Sequence, residues 1–271
     1  SFHDVGVTLD PSATTGNGVT LITSANYFNT GDVTAEDTAA TAIASGTRYQ
    51  IKTVGTTDFV TDFGADSNTV GVVFVANSAG DASSGTGTVD EVDLSDHVGT
   101  VLRYHDNEIE IKTVISATKA TGDITDELLV HLDRDAIETT DGSSDIHITF
   151  ANHGLSTSDS ITISAAGAVG GISANNINGT RSVTEVINEN EFVVTAGASS
   201  NESTIGGGSP KIVTHAATTE WGEQSYSALR GYPGAVTFHE NRLWLGGTLA
   251  QPDGIWASKS ADYFNFDVGA A

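Results

Sequence analysis

Cysteine and methionine are both absent from this chain of 271 residues, and only four prolines interrupt it, at positions 11, 210, 233 and 252. Without cysteine there are no disulfides, no thiolate metal sites and no cysteine nucleophile, and the redox compartment is left unmarked. The lack of methionine extends to position 1, so the sequence is expected to be a processed product or a fragment. Basic residues are scarce: 11 Lys and Arg stand against 35 Asp and Glu, which gives 11 − 35 = −24. A surface of that sign repels phosphates rather than gathering them by counterion release. A DNA reader is therefore disfavoured, while a surface past which DNA moves without sticking, or simple solubility in a salty medium, stays open. No apolar run approaches the roughly 18 residues needed to cross a bilayer, and no charged leader with an apolar stretch opens the chain. Membrane insertion is not expected.

What is present is β-rich. Short β-branched runs, "GVTLIT" (18–23), "RYQIKTV" (48–54), "VGVVFVA" (70–76), "IEIKTVI" (109–115) and "DSITISA" (159–165), are separated by clusters of Gly, Asn, Asp and Ser. This pattern predicts an all-β fold made of several small sandwich- or barrel-like units. Two stretches read as helices: residues 34–45, with Thr34 as N-cap, and residues 124–132, which fit a strand equally well. The chain divides into an N-terminal β segment with a possible short helix (1–45), a small β module (46–95), a platform segment (96–135), an inserted barrel-like module (136–212) and a propeller-like beginning (213–271).

The last of these can be read residue by residue. A two-residue turn at Glu240 and Asn241 sets Phe238 opposite Leu243 and Val236 opposite Leu245 on one face. Thr237 and His239 then meet Trp244 and Arg242 on the other. The strand that follows, with its aromatic corner, resembles one blade of a propeller.

Motifs for chemistry mostly fail on inspection. "HENRL" begins like a zinc-protease helix, but Leu243 stands where a second histidine is required, and His239 lies in a strand pattern. "DGSSD" (141–145) alternates oxygens as a calcium loop does, yet Ile146 and Asn152 occupy the positions that need glycine and glutamate. His147 and His153 lack a third ligand at readable spacing. The glycine clusters at 85–90 and 206–208 match neither a dinucleotide fingerprint nor a P-loop, and no serine sits in a nucleophile elbow. No catalytic, cofactor-binding or metal-binding residue is assigned, and no cofactor is expected. Trp221, Trp244, Trp256, Tyr263, Phe264 and Phe266 offer either a carbohydrate-stacking platform or core and subunit contacts.

The closing stretch "GYPGAVTFHENRLWLGGTLAQPDGIWASKSADYFNF" (231–266) resembles a segment of the tail nozzle proteins of short-tailed bacteriophages, also called tail tubular protein B. The matching positions are Gly231 or Tyr232 with Pro233, then Phe238, His239, Arg242, Leu243, Gly246, Gly247, Thr248, Pro252, Trp256, Ser258, Asp262, Tyr263, Asn265 and Phe266. Residues 97–129 and 218–227 are similar to what precedes that segment in the same family. Residues 55–76 resemble a small β module recurrent in phage structural proteins. Residues 153–197 resemble an inserted barrel-like domain, similar in fold alone to one in ubiquitin-activating enzymes. The resemblance implies a non-enzymatic virion protein of the phage tail, a nozzle subunit forming a homo-oligomeric ring of six copies. Its partners would be tail adaptor and tail fibre proteins, with double-stranded DNA passing through unbound. It also implies that 231–266 starts a propeller whose remainder lies outside this sequence. The alternative is a receptor- or glycan-binding tail protein; a depolymerase is weaker, because no carboxylate pair stands out.

Overall fold

A computed structural model describes residues 2–4, 6–263 and 266. The chain opens with β1 (Phe2–Asp4), β2 (Leu9–Pro11) and β3 (Gly16–Thr23). In β3, Val19 and Leu21 are buried while Gly18 and Ile22 face outward, the alternation of a strand with one face on a core. Four strands follow: β4 (Val33–Ala39), β5 (Arg48–Thr53), β6 (Val73–Val75) and β7 (Thr88–Val92), in the sheet order β4-β7-β5-β6. The short helix α1 (Phe59–Phe63) starts at Asp58, whose side chain accepts from the Thr61 amide, and stops at Gly64 in the left-handed region. It sets Phe59 and Phe63 against Phe74 on β6.

Next, β8 (Val101–Tyr104), β9 (Asn107–Ser116) and β10 (Lys119–Ile124) return to the first sheet. An eight-stranded sheet takes up β11 (Leu129–His131), β12 (Ile137–Thr139), β13 (Asp145–Thr149), β14 (Ser160–Ala166), β15 (Gly179–Asn188), β16 (Glu191–Thr195), β17 (Thr204–Gly206) and β18 (Gly208–Val213). A single helical turn, α2 (Ala174–Ile177), lies between β14 and β15. Then β19 (Trp221–Gln224) completes the platform sheet, whose order is β1-β19-β8-β9-β10-β3-β2. The last strands, β20 (Ala235–His239), β21 (Arg242–Gly246) and β22 (Ile255–Ala257), form an antiparallel meander.

The fold is all-β. Three apolar cores serve the three larger sheets. Leu9, Leu21, Leu102, Ile109 and Ile111 anchor the platform; Tyr49, Ile51 and the phenylalanines anchor the four-stranded module; Ile146, Ile161, Phe192 and Ile212 anchor the eight-stranded one. Each fully buried side chain of this size contributes about 1.5–3 kcal/mol.

The strand runs at 18–23, 48–54, 109–115 and 159–165 all fall on strands, and 70–76 contains the shorter β6. The helix expected over 34–45 is instead β4 followed by the 3-10 turn Ala40–Ala42. Pairing with β7 overrides the local helical preference. Two register shifts accommodate the alanine-rich stretch, and Asp37 sits at φ 57 with its amide donating to Asp90. Thr34 caps nothing; its hydroxyl donates to the Glu91 carbonyl. Residues 124–132 follow the strand alternative, with Ile124 ending β10 and 129–131 forming β11. Within 1–45, β1, β2 and β3 lie in the platform and β4 in the four-stranded module: β2 pairs with its neighbour β3, while β1, β3 and β4 find partners far along the chain in β19, β10 and β7. Likewise β11 pairs with β18 of the inserted module, and β19 with the platform.

Candidate functional site

Strand β19 borders two constellations of polar side chains. The first surrounds Glu223, a carboxylate with no exposure to solvent. Its Oε1 receives hydrogen bonds from the Thr100 hydroxyl at 3.0 Å and lies 2.7 Å from His97 Nδ1. Its Oε2 accepts from the Tyr27 hydroxyl at 2.7 Å and from Arg230 Nε at 2.9 Å. Arg230 also donates to the Tyr27 oxygen. Burial alone would raise the Glu223 pKa. The hydrogen bond and charge of His97, the hydrogen bond of Tyr27 and the charge of Arg230 outweigh that and hold it at about 2. Burial, then Glu223 itself, pushes the Tyr27 phenol up.

Three distant regions thus converge on one carboxylate: the stretch after β3, the turn before β8, and β19 with the loop that follows it toward the meander. Around it Tyr27 meets Trp221 edge-on at 4.9 Å, and His97 packs against Tyr27 and Phe28. The Trp221 indole donates to the Val7 carbonyl. With both carboxylate oxygens satisfied and no solvent access, Glu223 is built to hold segments together rather than to exchange protons with a substrate.

The second constellation is a cleft of about 580 Å³ between the platform and the eight-stranded module. Val130, Leu132, Phe150 and Trp221, all buried, contribute apolar atoms to its lining. Arg103, Asp106, His131, Asp133, Thr149, Thr219 and Glu220 ring it. Arg103 Nε donates to the His105 carbonyl at 2.8 Å, and its NH2 group reaches Asp106 at 3.3 Å. Glu220 Oε1 accepts from the Asn152 amide. His105 occupies the β8–β9 turn with φ 48, its ring 4.9 Å from Tyr104 and 5.1 Å from Phe150. Its Nε2 is buried without a partner, and burial, against the opposing pull of Asp106, lowers its pKa to about 4.

The residues singled out in the sequence lie elsewhere. His153 is a core residue: Nε2 pairs with the Asn188 carbonyl, Nδ1 accepts from the Leu155 amide, and the ring meets Phe192 edge-on. Burial lowers its pKa. His147 pairs with Glu191 at 2.8 Å across neighbouring strands. Residues 141–144 lie in the turn between β12 and β13, and Asp145 opens β13, its carboxylate accepting from the Thr195 hydroxyl. His239 is exposed beside Glu240 on the last hairpin.

Among the described residues, these aromatics are not brought together as one platform. Trp221 belongs to the platform core, Trp256 rests edge-on against Tyr226 and Tyr263 rests against Phe238. Phe264 lies outside the described residues. Hairpin pairing in β20 and β21 follows the reading above: Val236 opposes Leu245, Thr237 opposes Trp244, Phe238 opposes Leu243 and His239 opposes Arg242. Glu240 at φ 47 and Asn241 at φ 57 make the primed turn. Among the described residues no buried apolar cluster includes Val236 or Phe238, and each is 67% exposed. Sequence reasoning missed both the Glu223 cluster and the cleft, since neither carries a local motif.

No known family's sequence pattern matches the chain, and no curated protein matches it. Among solved structures, the chain is similar to the phage phi92 endosialidase, at 15% identity and a TM-score of 0.29, over 84% of this chain and 39% of that one. The chain thus spans well under half the length of that protein.

Proposed function

We propose that this chain acts as a tail nozzle subunit of a short-tailed phage, a non-catalytic virion component. In this reading, copies close into a ring that extends the tail tube, contacts tail adaptor and tail fibre proteins and conducts double-stranded DNA during ejection. One observation supports the reading beyond the sequence resemblance: in the meander at 235–257, within the stretch that bears that resemblance, Val236 and Phe238 stay largely exposed even with Tyr263 edge-on against Phe238. An apolar strand face of this kind marks an assembly surface in a protein whose remaining surface is strongly acidic. The charge of −24 supports the same reading, because an acidic lumen keeps DNA phosphates from adhering to its wall. The glycan-binding alternative, as it rests on an aromatic platform, is weakened by the dispersal of those aromatics.

The test is to image the native protein from its virion by electron microscopy and to weigh it in solution. Rings joined to a tail, lost on Phe238→Asp, support the nozzle. Monomers on tail fibres would overturn it.

A further inference from the structure

We infer that the cleft between the platform and the eight-stranded module is a binding site for a neutral polyhydroxylated ligand, a saccharide. The inference is independent of ring assembly. At about 580 Å³ the cleft falls within the 300–1,000 Å³ range of small-molecule sites, and its lining combines apolar side chains with a larger share of polar ones.

The rim chemistry selects the ligand class. Among the described residues, the Asp133 carboxylate, the His131 ring and the Thr149 and Thr219 hydroxyls have no side-chain hydrogen bond or ion pair, although all four line the cleft. Glu220 Oε1 is engaged by Asn152, which leaves Oε2 open. The rim therefore offers acceptors and donors side by side. A metal ion does not suit it: no group of three His, Asp or Glu among the described residues is placed to hold one. An anion does not suit it either, since three carboxylates face one guanidinium that is already turned toward Asp106. A cationic amine would satisfy the carboxylates but leave the imidazole and hydroxyl donors idle. Sugar hydroxyls both donate and accept, and the C–H faces of a pyranose ring suit the apolar part of the lining, Phe150 and Trp221 included.

The experiment titrates the full chain with neutral oligosaccharides of glucose, galactose and N-acetylglucosamine, read by saturation-transfer NMR and calorimetry. Asp133→Ala and Glu220→Ala serve as variants. Both side chains are exposed, so unchanged melting temperatures establish that the fold is kept. The expected result is a dissociation constant on the order of 1 mM for at least one probe, weakened about tenfold or more by Asp133→Ala. Three results would each overturn the inference: no binding to any probe, binding that both variants leave unchanged, or tighter binding of spermidine or of a sialylated sugar than of every neutral one.

Discussion

Glu223 shows what a single buried charge does in this protein. The carboxylate is held at about 2, below its usual 4.5, so it stabilises the fold above pH 4.5 and that stabilisation is lost as pH falls toward 2. The difference amounts to about 3 kcal/mol. Glu223→Gln leaves Arg230 and its neighbours without their anion and should cost about 3–5 kcal/mol at pH 7, measured by urea unfolding. His105 works in a higher window. Its pKa falls from 6.5 to about 4, so its neutral form supports the folded state above pH 6.5, and that support drains away as pH drops toward 4. His105→Asn keeps a residue tolerant of positive φ and removes the titration. The slope of stability between pH 4 and 6.5 should flatten in this variant; an unchanged slope would mean that another group titrates there.

At the level of elements, the last hairpin offers a direct test of turn chemistry. Glu240 adopts a left-handed conformation that asparagine or glycine enters more readily, so the double substitution Glu240→Asn with Asn241→Gly should stabilise β20 and β21 by about 0.5–1 kcal/mol. Hydrogen exchange of the Thr237 and Trp244 amides, which face each other across the hairpin, would register it as slower opening. That hairpin was legible in sequence because its partners are adjacent and the alternation fixes the register. The strands at 18–23, 48–54, 109–115 and 159–165 were legible for a different reason, as β-branched runs bounded by Gly, Asn, Asp and Ser clusters. Residues 34–45 were not. Their alanines favour a helix locally, and only β7, some fifty positions later, with Lys52 joined to Asp37 and Asp90, makes β4 a strand. The cleft was illegible in a different way: its rim is assembled from residues 103–106, 130–133, 149–151 and 219–222, none of which forms a motif.

For the molecule as a whole, charge and apolar surface act against each other. Copies carrying −24 repel at a distance, whereas the uncovered meander face attracts at contact. Raising the ionic strength shortens the screening length from about 30 Å at 0.01 M to about 3 Å at 1 M. Self-association should therefore strengthen with salt, as sedimentation velocity would record. Association that weakens with salt would point to charge pairing and away from the apolar face.

The strand pairs at the base of the two inserted modules carry a further consequence. Val33 pairs with Val92, and Leu129 with Val213, so each module leaves the platform beside the place where it arrives. Each also has a core of its own. Such modules are cassettes in the genetic sense. Recombination can replace one by an unrelated sequence, provided the two ends of the newcomer pair as these do, and the sheet that holds Glu223 need not change. Surface specificity and the frame that carries it are then free to evolve at different rates.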